Sequence, residues 1–278
     1  MTTTFLKTNA GNIFLQQSGD NKKPAIIFIH GASISSKTWY HQFADEQLLK
    51  NFCLYAFDLP GHGQSGKLKN AEGYSLKGLG KTVIDIIEQL QPKEYILATL
   101  SMASNIVGEC VGDLKNCKGI FMAGATLLGK NFPVTSLLKP YPYIHLLTDA
   151  SATNDELEGY AHFVMFHPSE KDIQIFSEDY QNTDADFRLT IGKVLAESDY
   201  SDEVENIKKS GLPLALLYGK EEAIVQPLYL QNAGFNLWQS KILLSENAGH
   251  LVNIDSKATF SEYLYLFAKG VFDDSILS

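Results

Sequence analysis

Short apolar runs recur along this chain, each closed by a turn or cap residue and most followed by a segment of helical spacing. They are "AIIFIHG" at 25–31, "FCLYAFDLPG" at 52–61, "EYILATL" at 94–100, "GIFMAGA" at 119–125, "LPLALLYG" at 212–219 and "SKILLSE" at 240–246. The runs are nearly continuous, as expected of strands covered on both faces. Between them, "SLKGLGKTVIDIIEQLQP" at 75–92 has apolar residues at 76, 79, 83, 86, 87 and 90, a helical period, with Ser75 as its N-cap. "DSKATFSEYLYLFAKG" at 255–270 reads as a closing helix, capped by Asp255 or Ser256 and ended by Gly270. "NIFLQQS" at 12–18 alternates weakly and suits an early antiparallel strand. Strands alternating with helices imply an α/β fold with a mainly parallel sheet flanked by helices.

One connection breaks the rhythm. Roughly 80 residues separate the run at 119–125 from that at 212–219, far more than such a link requires. The segment has helical patches, "DELEGYAHFVMF" at 155–166 and "DADFRLTIGKVLAE" at 184–197. It is also rich in aromatics: Phe132, Tyr141, Tyr143, Tyr160, Phe163, Phe166, Phe176 and Tyr180. A mostly helical cap inserted into the sheet accounts for it. The expected division is a first core part at 1–130, a cap at 131–203 and a second core part at 204–278. Most of the aromatics hold such a cap together; some, with Phe163 and Phe166 nominated, face an apolar pocket.

Composition narrows the function. The chain of 278 residues is 45% hydrophobic and 20% charged, with a net charge of −9, which makes duplex nucleic acid and anionic membrane poor partners. No 18-residue apolar run and no signal-peptide pattern stand out, so a cytoplasmic location is expected. Cys53, Cys110 and Cys117 form no C-x-x-C pair, which points to neither a disulfide framework nor a zinc site. His162 and His167 fall on different sides of a helix, so metal ligation by them is not expected. Cys110 reads as core packing.

In a parallel sheet, ligands bind at the carboxyl ends of the strands. Three reactive side chains stand just past such ends: Ser101, Glu222 and His250. Ser101 sits between a buried strand and a helix start, the layout of a nucleophile elbow, although the usual flanking glycines are Thr99 and Ala103 here. The chain order is serine, acid, histidine. Glu221 is the neighbouring choice for the acid, and the bland reading of the pair is a solvated loop.

Five segments carry a family resemblance. "FIHGAS" at 28–33 resembles a His-Gly oxyanion segment, and "WYHQF" at 39–43 the tryptophan-containing helix after it. "FDLPGHGQS" at 57–65 is close to a D-x-P-G-H-G-x-S loop, and "LYGKEEAIVQP" at 217–227 resembles the G-x-x-D-x-x-V-x-P acid loop. "NAGHLVNIDSKATFSEYLYLF" at 247–267 resembles the histidine loop and last helix. In this order they resemble the α/β-hydrolase superfamily in its capped form. The resemblance implies Ser101 as nucleophile, His250 as base and Glu222, at the acid's position, as its partner. It implies an oxyanion hole from the N–H groups of Ala32 and Met102, with the Ser33 hydroxyl as a further contact, and no cofactor or metal. Asp58 and His62 then fasten their loop, and His30 is a structural hydrogen-bonder below the oxyanion segment. A serine in the elbow argues against the haloalkane dehalogenases and epoxide hydrolases of the superfamily, and the lack of His-Gly-Gly-Pro against a proline iminopeptidase. The leading expectation is hydrolysis of a small, mainly apolar ester or related acyl compound. Carbon–carbon bond hydrolysis on the same residues, or a ligand-binding protein with little catalysis, stand behind it.

Overall fold

The computed structural model describes residues 1–140 and 142–273, so Tyr141 lies outside the described residues. Among these, eight strands form one sheet: β1 Thr2–Thr8, β2 Gly11–Ser18, β3 Ala25–Ile29, β4 Cys53–Phe57, β5 Tyr95–Leu100, β6 Cys117–Ala123, β7 Leu214–Gly219 and β8 Leu243–Ser245. Their order is β1-β2-β4-β3-β5-β6-β7-β8. β2 pairs antiparallel with β1 and β4, and the remaining pairs are parallel. Every residue of β3, β4, β5 and β7 is buried, as the continuous apolar runs require.

Two strands depart from the sequence expectation. β1 was missed because Thr2–Thr8 is mostly exposed and has no apolar period; its pairing with β2 through a two-residue turn defines it. β8 is only three residues long rather than the full 240–246 run.

The helices are α1 Glu46–Asn51, α2 Leu76–Leu90, α3 Ala103–Cys110, α4 Val134–Leu137, α5 Asn154–Val164, α6 Glu170–Asn182, α7 Ala185–Glu197, α8 Glu203–Ser210, α9 Val252–Asp255 and α10 Lys257–Phe272. Ser75 caps α2 by accepting from the N–H of Gly78. Gly270 does not end α10: the helix runs on to Phe272, and Ser256 stands at its N-cap position without a side-chain cap. The long connection between β6 and β7 holds α4 to α8, including α6, which the sequence patches at 155–166 and 184–197 had left out.

Topology positions the site. From β3 the chain steps outward to β4, then returns across β3 to β5 and continues to β6. Right-handed crossovers therefore send α1 to one face and α2 and α3 to the other, and the reversal opens a crevice between the carboxyl ends of β3 and β5. The register pairs Ile29 with Thr99, so Gly31 comes opposite Ser101 two residues further on. On the α10 face, Trp39 packs on Phe28 and Phe260, and Phe121 meets Phe260 and Phe267 at ring separations of 5.3 and 5.9 Å. Phe121→Ala is expected to lower stability by about 3–5 kcal/mol in urea unfolding, the cost of an unfilled aromatic core site. A loss under about 1 kcal/mol would show that this layer does not carry the core.

Candidate active site

Strand β5 ends at Leu100 and α3 begins at Ala103, so the chain must reverse within two residues. Ser101 takes the left-handed conformation, φ 54°, which a non-glycine residue keeps only where its surroundings fix it. Its N–H donates to Ala123 O at 2.9 Å, and its carbonyl accepts from both the N–H and the hydroxyl of Ser104, at 2.9 and 2.7 Å. The absence of glycine at 99 and 103 is resolved by the neighbouring segment. A Cβ on Gly31 would lie 3.1 Å from Ser101 Cβ and 3.2 Å from Leu100 O, so Gly31 supplies the close approach. Thr99 is wholly buried in the strand, and its hydroxyl has no hydrogen-bond partner among the described residues.

The three residues nominated from strand ends stand in one line. Ser101 Oγ lies 2.8 Å from His250 Nε2, and His250 Nδ1 lies 2.8 Å from Glu222 Oε2. Glu222 is buried at the end of β7, whereas Glu221 beside it is exposed. Burial alone would raise the Glu222 carboxyl, but the His250 imidazole and the N–H groups of Ile224 and Val225 outweigh it and hold the group below the usual range. An ionised carboxylate only accepts, so the imidazole carries its proton on Nδ1 and offers Nε2 as acceptor to the serine hydroxyl. Glycines clear space for this ring: a Cβ on Gly124, φ 54°, would fall 2.9 Å from His250 Cε1. The His250 N–H donates to Val164 O at the end of α5, at 2.8 Å, and Gly249 N–H to Asp255 at 2.8 Å.

The N–H groups of Ala32 and Met102 have no acceptor among the described residues, and both residues line the same cavity as Ser101 and His250. Met102 is at the positive end of α3, where an anion is favoured. Two buried histidines hold the Ala32 segment. His30 Nδ1 donates to Gly31 O at 2.8 Å and Nε2 accepts from Leu59 N–H at 2.9 Å. His62 Nδ1 donates to Pro60 O at 2.9 Å and Nε2 accepts from Ser33 N–H at 3.3 Å. Burial pushes both imidazoles down, the His62 group well below its ordinary value with His30 adding to the effect. Each therefore stays neutral and ties the loop after β3 to the loop after β4. Asp58 completes the fastening by accepting from Ser36 and Gln64 N–H, both at 2.8 Å. Cys110 is buried, and burial pushes its thiol up to about 12, so it acts as packing.

The cavity beneath the β6–β7 insertion is lined mainly by carbon, and Ser33 stands in its wall. Of the insertion's aromatics, Tyr160, Phe176 and Tyr180 reach it. Phe163 and Phe166, nominated as substrate contacts, are not in its wall. α5 turns Leu157, Tyr160, Ala161 and Val164 inward, which puts Phe163 on the flank, 5.7 Å from the ring of Tyr143. Phe166 lies past the helix end and packs on His167 at 4.4 Å. Asn105 and Thr126 do line the cavity and were overlooked. Thr126 follows β6 much as Ser101 follows β5, and Asn105 is one helical turn past the serine, so strand ends and helical spacing could have found both.

A central parallel sheet with a serine, a histidine and a glutamate gathered at its carboxyl edge defines a class of enzyme. The family model of the alpha/beta hydrolases matches residues 26–262, and the chain belongs to that family. It is an α/β-fold hydrolase. It is 23% identical to an uncharacterized hydrolase, YugF of Bacillus subtilis (strain 168), over 93% of this chain and 94% of that one. It is 21% identical to the monoacylglycerol lipase ABHD6 of Bos taurus, over 90% of this chain and 76% of the lipase. Among solved structures, a variant of the N-acyl homoserine lactonase AidH complexed with N-hexanoyl homoserine lactone gives a TM-score of 0.90 at 23% identity, covering 98% of each chain. At that identity the likeness is one of fold. No helix among the described residues is long and apolar enough to cross a membrane.

The neutral histidines carry a pH prediction. His62 binds a proton more readily in the unfolded chain than in the fold, so its contribution is complete above pH 6.5 and is lost as pH falls below it. A His62→Gln variant lacks that loss. The stability gap between wild type and the variant is expected to shrink by up to about 1.4 kcal/mol per pH unit below 6.5, measured by urea unfolding at pH 7.5, 6.5 and 5.5. A gap that stays constant would mean the imidazole titrates alike in both states.

Proposed function

We propose that the protein hydrolyses a small, uncharged, mainly apolar ester or related acyl compound through an acyl-enzyme on Ser101. The observation that carries this reading is the unbroken hydrogen-bonded line from Ser101 Oγ through His250 to Glu222, with both links at 2.8 Å. Serine is a weak nucleophile at its own pKa and needs an adjacent base. In the first step the Ser101 oxygen attacks the substrate carbonyl as its proton passes to His250 Nε2. Glu222 stabilises the imidazolium through Nδ1 and keeps the ring in the useful tautomer. The negative charge developing on the carbonyl oxygen is met by the unspent N–H groups of Ala32 and Met102. Collapse of the tetrahedral intermediate breaks the bond to the alcohol, which leaves with the proton from His250. Water then enters, loses a proton to His250 and releases the acid from Ser101.

The carbon-lined cavity supports an apolar acyl group, because a charged one would lose its hydration there without compensation. Among the similar proteins are a monoacylglycerol lipase and an N-acyl homoserine lactonase, names that agree with this class. The substrate is a free small molecule on this reading.

Incubation with a fluorophosphonate, followed by peptide mapping, is expected to place one adduct on Ser101, absent in Ser101→Ala. His250→Ala and Glu222→Gln are expected to slow hydrolysis of p-nitrophenyl butanoate by roughly 10³-fold or more. Glu221→Gln, changed at an exposed neighbour, is expected to remain within a few-fold of wild type. A folded protein that takes no adduct and cleaves no ester would overturn the reading.

A further inference from the structure

On one wall of this cavity, two polar side chains break the carbon lining. Asn105 projects from α3 and is 5% exposed; Thr126 follows β6. Every proton they own is already committed. The Asn105 amide nitrogen donates to Thr126 O at 2.6 Å and to Glu203 Oε2 at 2.7 Å. A backbone carbonyl can only accept, so the amide cannot be turned the other way round. The Thr126 hydroxyl donates to Asn105 Oδ1 at 2.5 Å, and Thr126 N–H donates to Ser104 Oγ at 2.8 Å. Ser104 in turn donates its own hydroxyl to Ser101 O. The cluster is therefore bonded to the elbow itself and is held rigidly beside the nucleophile.

What remains is lone pairs. Thr126 Oγ1 and Asn105 Oδ1 each keep acceptor capacity, and neither has a proton to give. An acceptor left unmatched when an apolar ligand displaces water costs roughly 1–3 kcal/mol. A ligand that brings an O–H or N–H recovers this. Sites built around a substrate donor discriminate more strongly against an analogue lacking it than apolar pockets do against a missing methylene.

We propose that the Thr126 hydroxyl, its proton fixed on Asn105, forms an acceptor-only subsite that selects acyl groups bearing a hydroxyl or amide N–H on the carbons next to the scissile carbonyl. This rests on the serine-ester reading of the site and narrows it: the preferred acyl group is apolar with one hydrogen-bond donor near its reactive end. Thr126 and Asn105 act on specificity and take no proton in the reaction.

The test uses methyl esters, whose leaving group carries nothing that could fill the subsite. Methyl 3-hydroxyhexanoate is compared with methyl 3-methoxyhexanoate for the hydroxyl arm, and methyl N-acetylglycinate with methyl N-acetylsarcosinate for the amide arm. Wild type is expected to favour the donor-bearing member of at least one pair by about tenfold or more in kcat/KM. The arm that responds tells a hydroxy-acyl from an amido-acyl preference. Thr126→Val, equal in shape, is expected to bring that ratio near one; Thr126→Ser, which keeps the hydroxyl, is expected to retain it. Fluorophosphonate labelling of Ser101 in each variant checks that the elbow is formed. Esters cleaved with no discrimination in either pair, or a ratio that survives Thr126→Val, would overturn the subsite and leave the ester reading standing. No labelling and no cleavage of any ester would overturn both.

Discussion

Ser101 is held in a left-handed backbone conformation, and the architecture around the site can be understood as what keeps it there. The conformation costs a non-glycine residue on the order of 1–2 kcal/mol. It persists because its alternatives are blocked. The preceding strand is buried along its whole length, the serine N–H is bonded to the end of β6, and its carbonyl is bonded twice to Ser104. The consequence is a hydroxyl raised above the sheet edge, with the N–H of Met102 next to it at the start of a helix. Tightness of the turn is usually secured by glycines on the elbow. Here the space at the turn is cleared from outside, by Gly31 on the neighbouring strand end, while Gly124 leaves room for the imidazole.

The partners of Ser101 come from loops, and loops must be fixed by something other than sheet pairing. Two kinds of fastening do this. The Ala32 segment is tied by neutral histidines, each with one donor and one acceptor nitrogen spent on backbone groups of the β3 and β4 loops. Charging either ring would turn its acceptor into a donor facing an N–H. The His250 loop is tied to Val164 O, the last residue of α5. A side chain on Gly249 would strike that same oxygen at 2.7 Å, so the loop and the insertion are fitted to each other. The insertion thus contributes to the position of His250 as well as to the wall of the cavity.

How far this was legible in the sequence follows from which interactions are local. Continuous apolar runs marked β3 to β7 because burial on both faces leaves no room for alternation. Strand ends plus chain order then singled out Ser101, Glu222 and His250, residues far apart in the chain that meet through the parallel topology. Glu222 could be preferred to Glu221 only by its offset from Gly219; the structure adds that Glu222 is buried against two N–H groups while its neighbour faces solvent. β1 was illegible because its pairing, and no apolar pattern of its own, makes it a strand. Phe163 and Phe166 were misplaced because aromatic content says nothing of helix phase: the stripe through Leu157, Tyr160 and Val164 decides which rings turn inward. That His30 and His62 fasten the loops around Ala32 was expected from the resemblance; which backbone group each ring nitrogen meets needed the tertiary structure.

The two buried carboxyls near the site show how one environment can set opposite charge states. Burial raises both. At Glu222 an imidazole and two backbone N–H groups overcome it, and the group stays ionised. At Glu203 the counterweights are one backbone N–H and the Asn105 amide, Glu109 and Asp202 push the other way, and the group is raised well above its ordinary value. Glu222 thus presents a negative charge to Nδ1 of His250, on the side of the ring away from Ser101. Glu203, at the start of α8, lies behind Asn105, which stands on the helix that follows Ser101. Glu222 is thus drawn toward its charged form and Glu203 toward its neutral one, although both are buried beside the same cavity.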